Sequence, residues 1–403
     1  MRSGFERLEA KRRGYRLVNI LAVVALFAAT SPAVFAANTP PAPDVRLAGP
    51  ARLVFDPARD GCDGNDVPDA PARAFRRADD TVVLFGLHYT NHPLVGPSLD
   101  ALKISCHSAL ESHGNPDPAA YDDRSWIAAT WTKDGRVVDG LLHHEFQANE
   151  HPGRCRFPTY MQCWFNTVLA VRSDDGGADF SKLKAPVVAS APFRQDAEQG
   201  RHRGFFNPSN IVSDGVFFYM LASTTGWTGQ DGGVCLFRTQ DTDRPGSWRA
   251  YDGTGYTTRF GDPYQAAAPR PGQACTVIAP FPAPVGGLVR QRSTGAWFAV
   301  FQAAASAGVF PVSGLYVAAS RDLLYWSAPR LLVAGATNYD DPCRSGGQML
   351  AYPTFIDPAA TGRNFDDVGA TADLFFAKLR VDKCSITGDR MLLRQPVTLR
   401  ILP

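Results

Sequence analysis

Ser173-Asp174-Asp175-Gly176-Gly177-Ala178-Asp179-Phe180 has the pattern Ser-x-Asp-x-Gly-x-x-aromatic and follows a run of alternating apolar residues, Thr167 to Val171. Ser and Asp side chains can bond the backbone of a turn, Gly accepts a positive φ, and the closing ring can wedge between neighbouring sheets. Looser copies run from Thr239-Gln240-Asp241 to Trp248 and from Ser320-Arg321-Asp322 to Tyr325-Trp326. Each belongs to a longer rhythm of strand, tight Asp/Gly-type turn, strand, and polar stretch ending in an aromatic residue.

Read outward from that stretch, the rhythm gives five units. The first opens at Asp69-Ala70-Pro71-Ala72-Arg73, turns at Asp79-Asp80 and returns through Thr81 to Phe85, with Leu102 to Ile104 later. The second runs from Asp123 through an Asp134-Gly135 turn to Leu141-Leu142-His143-His144-Glu145-Phe146. The third opens at Asn207-Pro208-Ser209-Asn210 and turns at Asp214-Gly215; the fourth starts at Leu288 and turns at Ser293-Thr294-Gly295; the fifth starts at Tyr352-Pro353-Thr354 and ends near Ile401. Three openings share Pro and a small residue: Pro71-Ala72, Pro208-Ser209 and Pro353-Thr354. Proline at the head of a strand forfeits no central ladder bond, so these mark innermost strands. The expected fold is all-β, a five-bladed β-propeller over residues 59–403, closed by the C-terminal strand or by the segment before Asp69. Its units exceed the roughly 40 to 50 residues of protein-binding propeller repeats, which leaves long loops for a ligand site.

Composition agrees with a turn-rich globular domain: 403 residues, 45% hydrophobic and 20% charged, with 36 Gly and 31 Pro against 5 Met. The net charge is +2 and no basic run alternates with aromatics, which argues against a nucleic-acid partner. Lys11, Arg12, Arg13 and Arg16 precede the apolar stretch Leu17 to Ala29 and then Val34-Phe35-Ala36. This reads as a signal peptide, residues 1–36, and the apolar stretch is shorter than the roughly 20 residues of a membrane anchor, the alternative reading. The mature chain is then periplasmic or secreted, without a stable membrane span, and read as a monomer. Residues 37–58, rich in Pro and Ala, read as a leader with no fold of their own. Eight cysteines without a Cys-x-x-Cys pair suggest disulfides in an exported chain; Cys155 and Cys163 are the local pair, and the other pairings stay open. No cofactor and no metal centre are expected, since His143 and His144 have no third ligand at a recognisable spacing.

Innermost strands of a propeller end at a shared funnel. A two-residue Asp134-Gly135 loop pairs Lys133 with Arg136 and so sets Arg124 opposite Glu145, with Asp122 and Asp123 at the same end. Strict register points Asp122, rather than Asp123, toward Glu145. The Asp79-Asp80 turn sets Asp69 beside Tyr89 and Thr90, and the Asp214-Gly215 turn sets Asn207 beside Ala222. Glu145 lies in an apolar strand, where an unpaired carboxylate is costly to bury. Carboxylates facing each other across a cleft are the working parts of glycoside hydrolysis. The candidates are Asp69 as base or nucleophile, Asp123 as modulator, and Glu145 as acid with its pKa raised by burial. Candidate substrate-binding residues are Arg73, His88, Arg124, Trp126, His143, Trp164, Asn166, Asn207, Asn210 and Tyr352, aromatics able to stack on sugar rings and polar groups able to bond hydroxyls.

The Ser173 to Phe180 stretch resembles the Asp box of sialidase-like propellers. The five units, with an Asp opening each of the first two, resemble the five-bladed glycoside hydrolases: the arabinanase and xylosidase family and its relatives among invertases, levansucrases and endo-D-arabinanases. The resemblance covers about residues 60 to 401. It implies an exported hydrolase acting on a carbohydrate polymer, with Asp69 in the position of the base and Asp123 in that of the pKa-modulating aspartate. That family carries its acid Glu on the third blade, where this chain has Asn207 and Asn210, so Glu145 would have to substitute. The rival reading is a carbohydrate-binding or scaffold propeller without catalysis.

Overall fold

The computed structural model describes residues 40–265 and 273–402, and its regular structure is almost entirely strand. The expected signal peptide lies outside the described residues. The α-helix among them is the single turn Pro57–Asp60, started by the Asp56 side chain on the Ala58 N–H.

Two strands, β1 (Ala42–Leu47) and β2 (Arg52–Phe55), precede the first unit. The first sheet is a meander of β3 (Arg73–Arg76), β4 (Val82–Phe85), β5 (Leu94–Gly96) and β6 (Lys103–Ile104). A second meander follows as β7 (Arg124–Thr132), β8 (Val138–Gln147), β9 (Trp164–Ser173) and β10 (Ser181–Ser190). The third comprises β11 (Arg203–Phe206), β12 (Val212–Ser213), β13 (Phe218–Thr224), β14 (Gly233–Thr239), β15 (Arg249–Tyr251) and β16 (Tyr256–Thr258). The fourth is β17 (Val285–Gln291), β18 (Trp297–Ala303), β19 (Gly314–Ser320) and β20 (Arg330–Ala334). Last come β21 (Gln348–Ile356), β22 (Asp367–Val368), β23 (Thr371–Asp382) and β24 (Ser385–Leu402), with β22 crossing to pair in parallel with β17.

Two expectations change here. Five separate four-stranded sheets were expected, but the second and third meanders join into one ten-stranded sheet, because β11 pairs in parallel with β9 through Arg203–Phe165 and Gly204–Asn166. Gly204 makes this possible: its φ is +111°, and any Cβ there would collide with the Asn166 carbonyl. The second change concerns residues 40–58, the described part of the expected leader. They are no structureless leader, since β1 pairs with β24 from Ala42↔Leu402 to Leu47↔Val397 and β2 pairs with the same strand near Arg394. The apolar residues Val45, Val54 and Phe55 drive this docking, and Phe55 is only 1% exposed. Pro43 is tolerated because β1 is an edge strand. The segment before Asp69 thus completes the last sheet.

Packing between sheets runs in a circle. Phe75 and Phe85 of the first meet Phe180 and Val171 of the second; Phe146 and Val168 of the second meet Phe205 and Phe237 of the third. Tyr219 meets Trp297 across the third and fourth, and Val289 and Phe298 meet Phe376 and Val397 across the fourth and fifth. Phe375 and Leu392 of the fifth return to Leu84 of the first.

The turn after β9 is held as its residue types require. Ser173 Oγ accepts from the Gly177 N–H at 2.8 Å, Asp175 Oδ1 accepts from Ala178 and Asp179 N–H at 3.0 and 3.1 Å, Gly177 has φ +80°, and Phe180 is buried. The turn at Ser320-Arg321-Asp322 repeats the bonding, with Leu324 and Tyr325 N–H both 2.9 Å from Asp322 Oδ1. At Thr239, by contrast, the hydroxyl serves the turn and the Asp241 carboxylate faces Arg244 instead.

Hairpin registers differ in detail from the expected ones. The first turn is one residue wider, with Arg77 N–H on Thr81 O and Asp80 at φ +65°. The ladder ends at Arg73↔Phe85, and beyond it the N–H groups of Asp69 and Ala70 both turn onto Gly86 O, so Asp69 lies beside Gly86 rather than beside Tyr89 and Thr90. In the second hairpin the last pair at the turn is Thr132↔Val138, yet Arg124 still faces Glu145, because a bulge at Ala128 takes up the extra residue. In the third, the turn is wider, with Ser213 opposite Phe218, yet Phe206↔Ser223 keeps the register expected for Asn207 and Ala222, up to the strand break at Asn207.

All eight cysteines are paired: Cys62–Cys106, Cys155–Cys163, Cys235–Cys275 and Cys343–Cys384. The Cys155–Cys163 pair is the one expected from its separation of 8. For so short a loop, chain entropy assigns about 2.5 kcal/mol to the crosslink. The double change Cys155→Ser, Cys163→Ser should therefore lower stability by about that amount in urea unfolding, and peptide mapping of unreduced protein should recover all four pairs.

Candidate functional site

The centre of the molecule is filled by one side chain. Arg73, only 3% exposed, donates from Nε to Ala128 O at 2.6 Å, from Nη1 to Thr354 Oγ1 at 3.5 Å and from Nη2 to Pro208 O at 3.5 Å. It thereby joins the inner edges of the first, second, third and last sheets. The bulge at Ala128 frees the carbonyl it takes, and burial works against its charge, lowering the guanidinium pKa. Arg73 was a candidate for binding substrate; its donors are instead spent on the protein's own oxygens. Asn210 is likewise engaged, its amide exchanging two bonds with the Leu288 backbone, 2.8 and 2.7 Å, as a strand would.

Asp69 lies in the loop leading into β3, held by its own N–H and that of Ala70 on Gly86 O at 3.1 and 3.3 Å. Its Oδ1 accepts from Tyr352 Oη at 3.1 Å and from Arg390 of β24, while His88 Nε2 stands 3.7 Å from Oδ2. Burial pushes this carboxyl up; Arg390, His88 and the Tyr352 hydroxyl pull it down, the nearby charge of Glu145 adds to the rise, and the balance lies above the ordinary value.

Glu145 is buried on β8 at 8% exposure. Residues two apart share a strand face, which brings His143 and Gln147 to it: His143 Nε2 is 2.8 Å from Oε1 and Gln147 Nε2 is 2.8 Å from Oε2. The Asn207 N–H donates to His143 Nδ1 at 3.1 Å, so the imidazole proton sits on Nε2 and points at Glu145. Burial pushes Glu145 up, but the hydrogen bond and charge of His143, helped by Gln147 and His202, outweigh it and hold the carboxyl below its ordinary value. This is opposite to the raised value expected from sequence, which counted burial and not the donors. Asn207 (φ +47°) and Tyr352 (φ +58°) both take the left-handed conformation rare for residues with side chains; Tyr352 meets Asp69, and Asn207 meets His143, the partner of Glu145.

Aromatic rings and neutral imidazoles join the pair. Trp126 lies between His88 and His143, with ring centroids 5.5 Å from each. Trp164 stacks on His202 at 4.1 Å, and His202 Nε2 bonds Asn166 Oδ1, whose Nδ2 donates to His144 O at 3.2 Å. Burial pushes His202 down to about 4 and His144 to about 3, and lowers His88 as well. The Nε1 donors of Trp126 and Trp164 are buried without a partner among the described residues. A cleft of about 430 Å³ opens alongside, lined by Phe206, Ser223, Thr224, Ala303, Ser306 and Tyr339; Phe206 lies 4.9 Å from the His202 ring.

Two expected residues stand aside. Asp123, 3% exposed, accepts from the Gln147 N–H at 2.9 Å and from His151 Nε2 at 3.0 Å, fastening the chain that leaves β8. Arg124 faces Glu145 in register, but its guanidinium pairs with Glu150 at 2.6 Å and lies over Tyr89. Three contributors were not anticipated: Gln147, His202 and Arg390. Alternation from Glu145 reaches Gln147 directly; nothing local marks Arg390, which comes from the far end of the chain.

No family model and no curated protein matches the chain. Among solved structures, it is similar to a protein of unknown function from Dyadobacter fermentans, at 9% identity over 88% of this chain and 99% of that one, with a TM-score of 0.50, a likeness of fold. A thermostable family-43 glycoside hydrolase matches at 12% identity over 82% and 89%, TM-score 0.43. An α-L-arabinofuranosidase from Podospora anserina matches at 9% identity over 87% and 95%, TM-score 0.41.

Asp123→Ala should cost about 1 to 3 kcal/mol, since it leaves the Gln147 N–H and His151 without their acceptor. Carboxyl-carbon NMR should show Glu145 titrating below the ordinary glutamate range in the parent protein and still doing so in this variant, with the loss confined to unfolding curves.

Proposed function

We propose that the chain is an exported five-bladed β-propeller glycoside hydrolase acting on a carbohydrate polymer through Asp69 and Glu145. The observation that carries this is the pair itself: a buried and a partly buried carboxylate from neighbouring sheets, joined by the His88, Trp126 and His143 rings, with protonation biased in opposite directions. Pushing two carboxyl pKa values apart is how such sites separate acid from base. Glu145, ionised and fed by two donors, serves as base or nucleophile; Asp69 carries the proton for the leaving oxygen. These roles reverse those that the family resemblance implies. Trp126 and Trp164, with idle indole donors, offer sugar-binding surfaces, and the adjoining cleft gives room for the chain of the substrate.

Support for the five blades is the closed circle of five sheet-to-sheet contacts, with the fused second and third sheets counted as two meanders. Support for export is the full pairing of eight cysteines, which persists in oxidising compartments. A second reading, glycan binding without catalysis, is favoured by the contact of Arg390 with Asp69, which works against a proton there.

Reducing-end release from a panel of plant and microbial polysaccharides tests the two. Glu145→Gln and Asp69→Asn should each lower kcat by about 10² to 10⁴ while glycan binding persists. Asp69→Asn should regain rate on glycosides with activated phenolate leaving groups, which need no acid; rescue of Glu145→Gln instead would exchange the roles. The pH profile of kcat/KM should be a bell, its acid limb below the ordinary glutamate range and its alkaline limb above the ordinary aspartate range, because activity needs Glu145 ionised and Asp69 protonated. Binding across the panel with no cleavage at all would establish the second reading.

A further inference from the structure

A second cleft, of about 620 Å³, opens on the other side of β11 from His202, lined by Phe193, Glu198, Arg201, Arg203, Trp227 and Thr228 among others. Along β11, Phe205 packs on Trp227 and Phe206 on His202, so alternation puts Arg203 on the Trp227 face, away from His202 and the carboxylate pair. Arg203 is more than nine-tenths buried. One of its nitrogens, Nη2, contacts Glu198, while Nε and Nη1 have no partner among the described residues. Arg201 spends one nitrogen on Gly226 O at 2.8 Å and is otherwise exposed. Buried guanidinium N–H groups without acceptors are costly, and an idle pair in a cleft calls for an acceptor from outside. Two arginines against one glutamate leave the cleft a single positive charge.

We propose that this cleft is a subsite for the carboxylate of a uronic-acid residue, so that the glycan taken by this protein is an acidic one. A planar guanidinium fork matches a carboxylate with two parallel bonds. One negative charge neutralises the cleft where a phosphate dianion would overshoot. Trp227 and Phe193 meet edge to face with centroids 6.0 Å apart, and that aromatic corner gives the C–H face of a pyranose a surface to rest on. The choice of a sugar acid over other carboxylates rests on the hydrolase reading; the charge of the cleft does not.

Methyl β-D-glucuronoside, methyl β-D-glucoside and sodium acetate serve as probes, titrated at fixed ionic strength and followed by NMR or calorimetry. The glucuronoside should bind about tenfold or more tighter than the glucoside, which lacks only the charge, and tighter than acetate, which lacks the ring. Arg201→Gln, a surface change that spares the fold, should reduce that preference several-fold, and Arg203→Met should abolish it. Equal binding of the two glycosides, or a preference left intact by Arg201→Gln and by whichever Arg203 variant folds, overturns the proposal. Binding of acetate as tight as the glucuronoside overturns the sugar part of it. Because binding is read without cleavage, failure here alongside hydrolysis of neutral polysaccharides removes the acidic subsite and leaves the hydrolase reading in place.

Discussion

The guanidinium of Arg73 is the interaction on which the arrangement turns. Strands that converge on a centre bring carbonyl groups to a place where neither a neighbouring ladder nor bulk water can satisfy them, and each such group left alone costs free energy. Arg73 answers the carbonyls of Ala128 and Pro208 and the hydroxyl of Thr354, which belong to three other sheets. The void that remains around it is only about 10 Å³. The centre is therefore plugged by Arg73.

Above that plug, the chemistry is set by hydrogen-bond donors rather than by net charge. His143 is fixed as a donor to Glu145 because the Asn207 backbone occupies its other nitrogen, and Asn207 can do so only by taking a strained left-handed conformation. Tyr352 takes a similar conformation, its N–H on Gln302 and its hydroxyl on Asp69. Local backbone cost of this kind persists where the surrounding structure over-determines it; other left-handed residues, such as Asp80 and Leu323, sit in turns, but these two lie beside the carboxylate pair. His202, His144 and His88, kept neutral by burial, add polarity without adding a competing cation.

Much of this was legible in the residues, and the failures have physical causes. The Ser173 to Phe180 turn and the Cys155–Cys163 pair follow from local chemistry and came out as expected. The facing of Arg124 and Glu145 came out for a reason the sequence does not display: a wider turn and a bulge at Ala128 cancel each other. Residue types alone could not separate a polar side chain that meets a ligand from one that answers a buried carbonyl, so Arg73 and Asn210 were read as sugar contacts. Burial alone predicted a raised Glu145, whereas the groups that lower it come from alternation along its own strand and from His202 in the segment leading into the next sheet. Prolines and alanines before residue 59 hid the few apolar residues that dock β1 and β2.

The clasp of β1 on β24 ties the order of synthesis to the completion of the site. β1 leaves the ribosome early and must wait, unpaired, for the strand that carries its partners, which is also the strand that carries Arg390. Long-range pairing of this sort is slow and leaves an open sheet edge in the interim. A chain arrested before β24 would lack both its clasp and the cation beside Asp69. Closure of the last sheet and the surroundings of Asp69 are therefore completed in one step, when β24 docks.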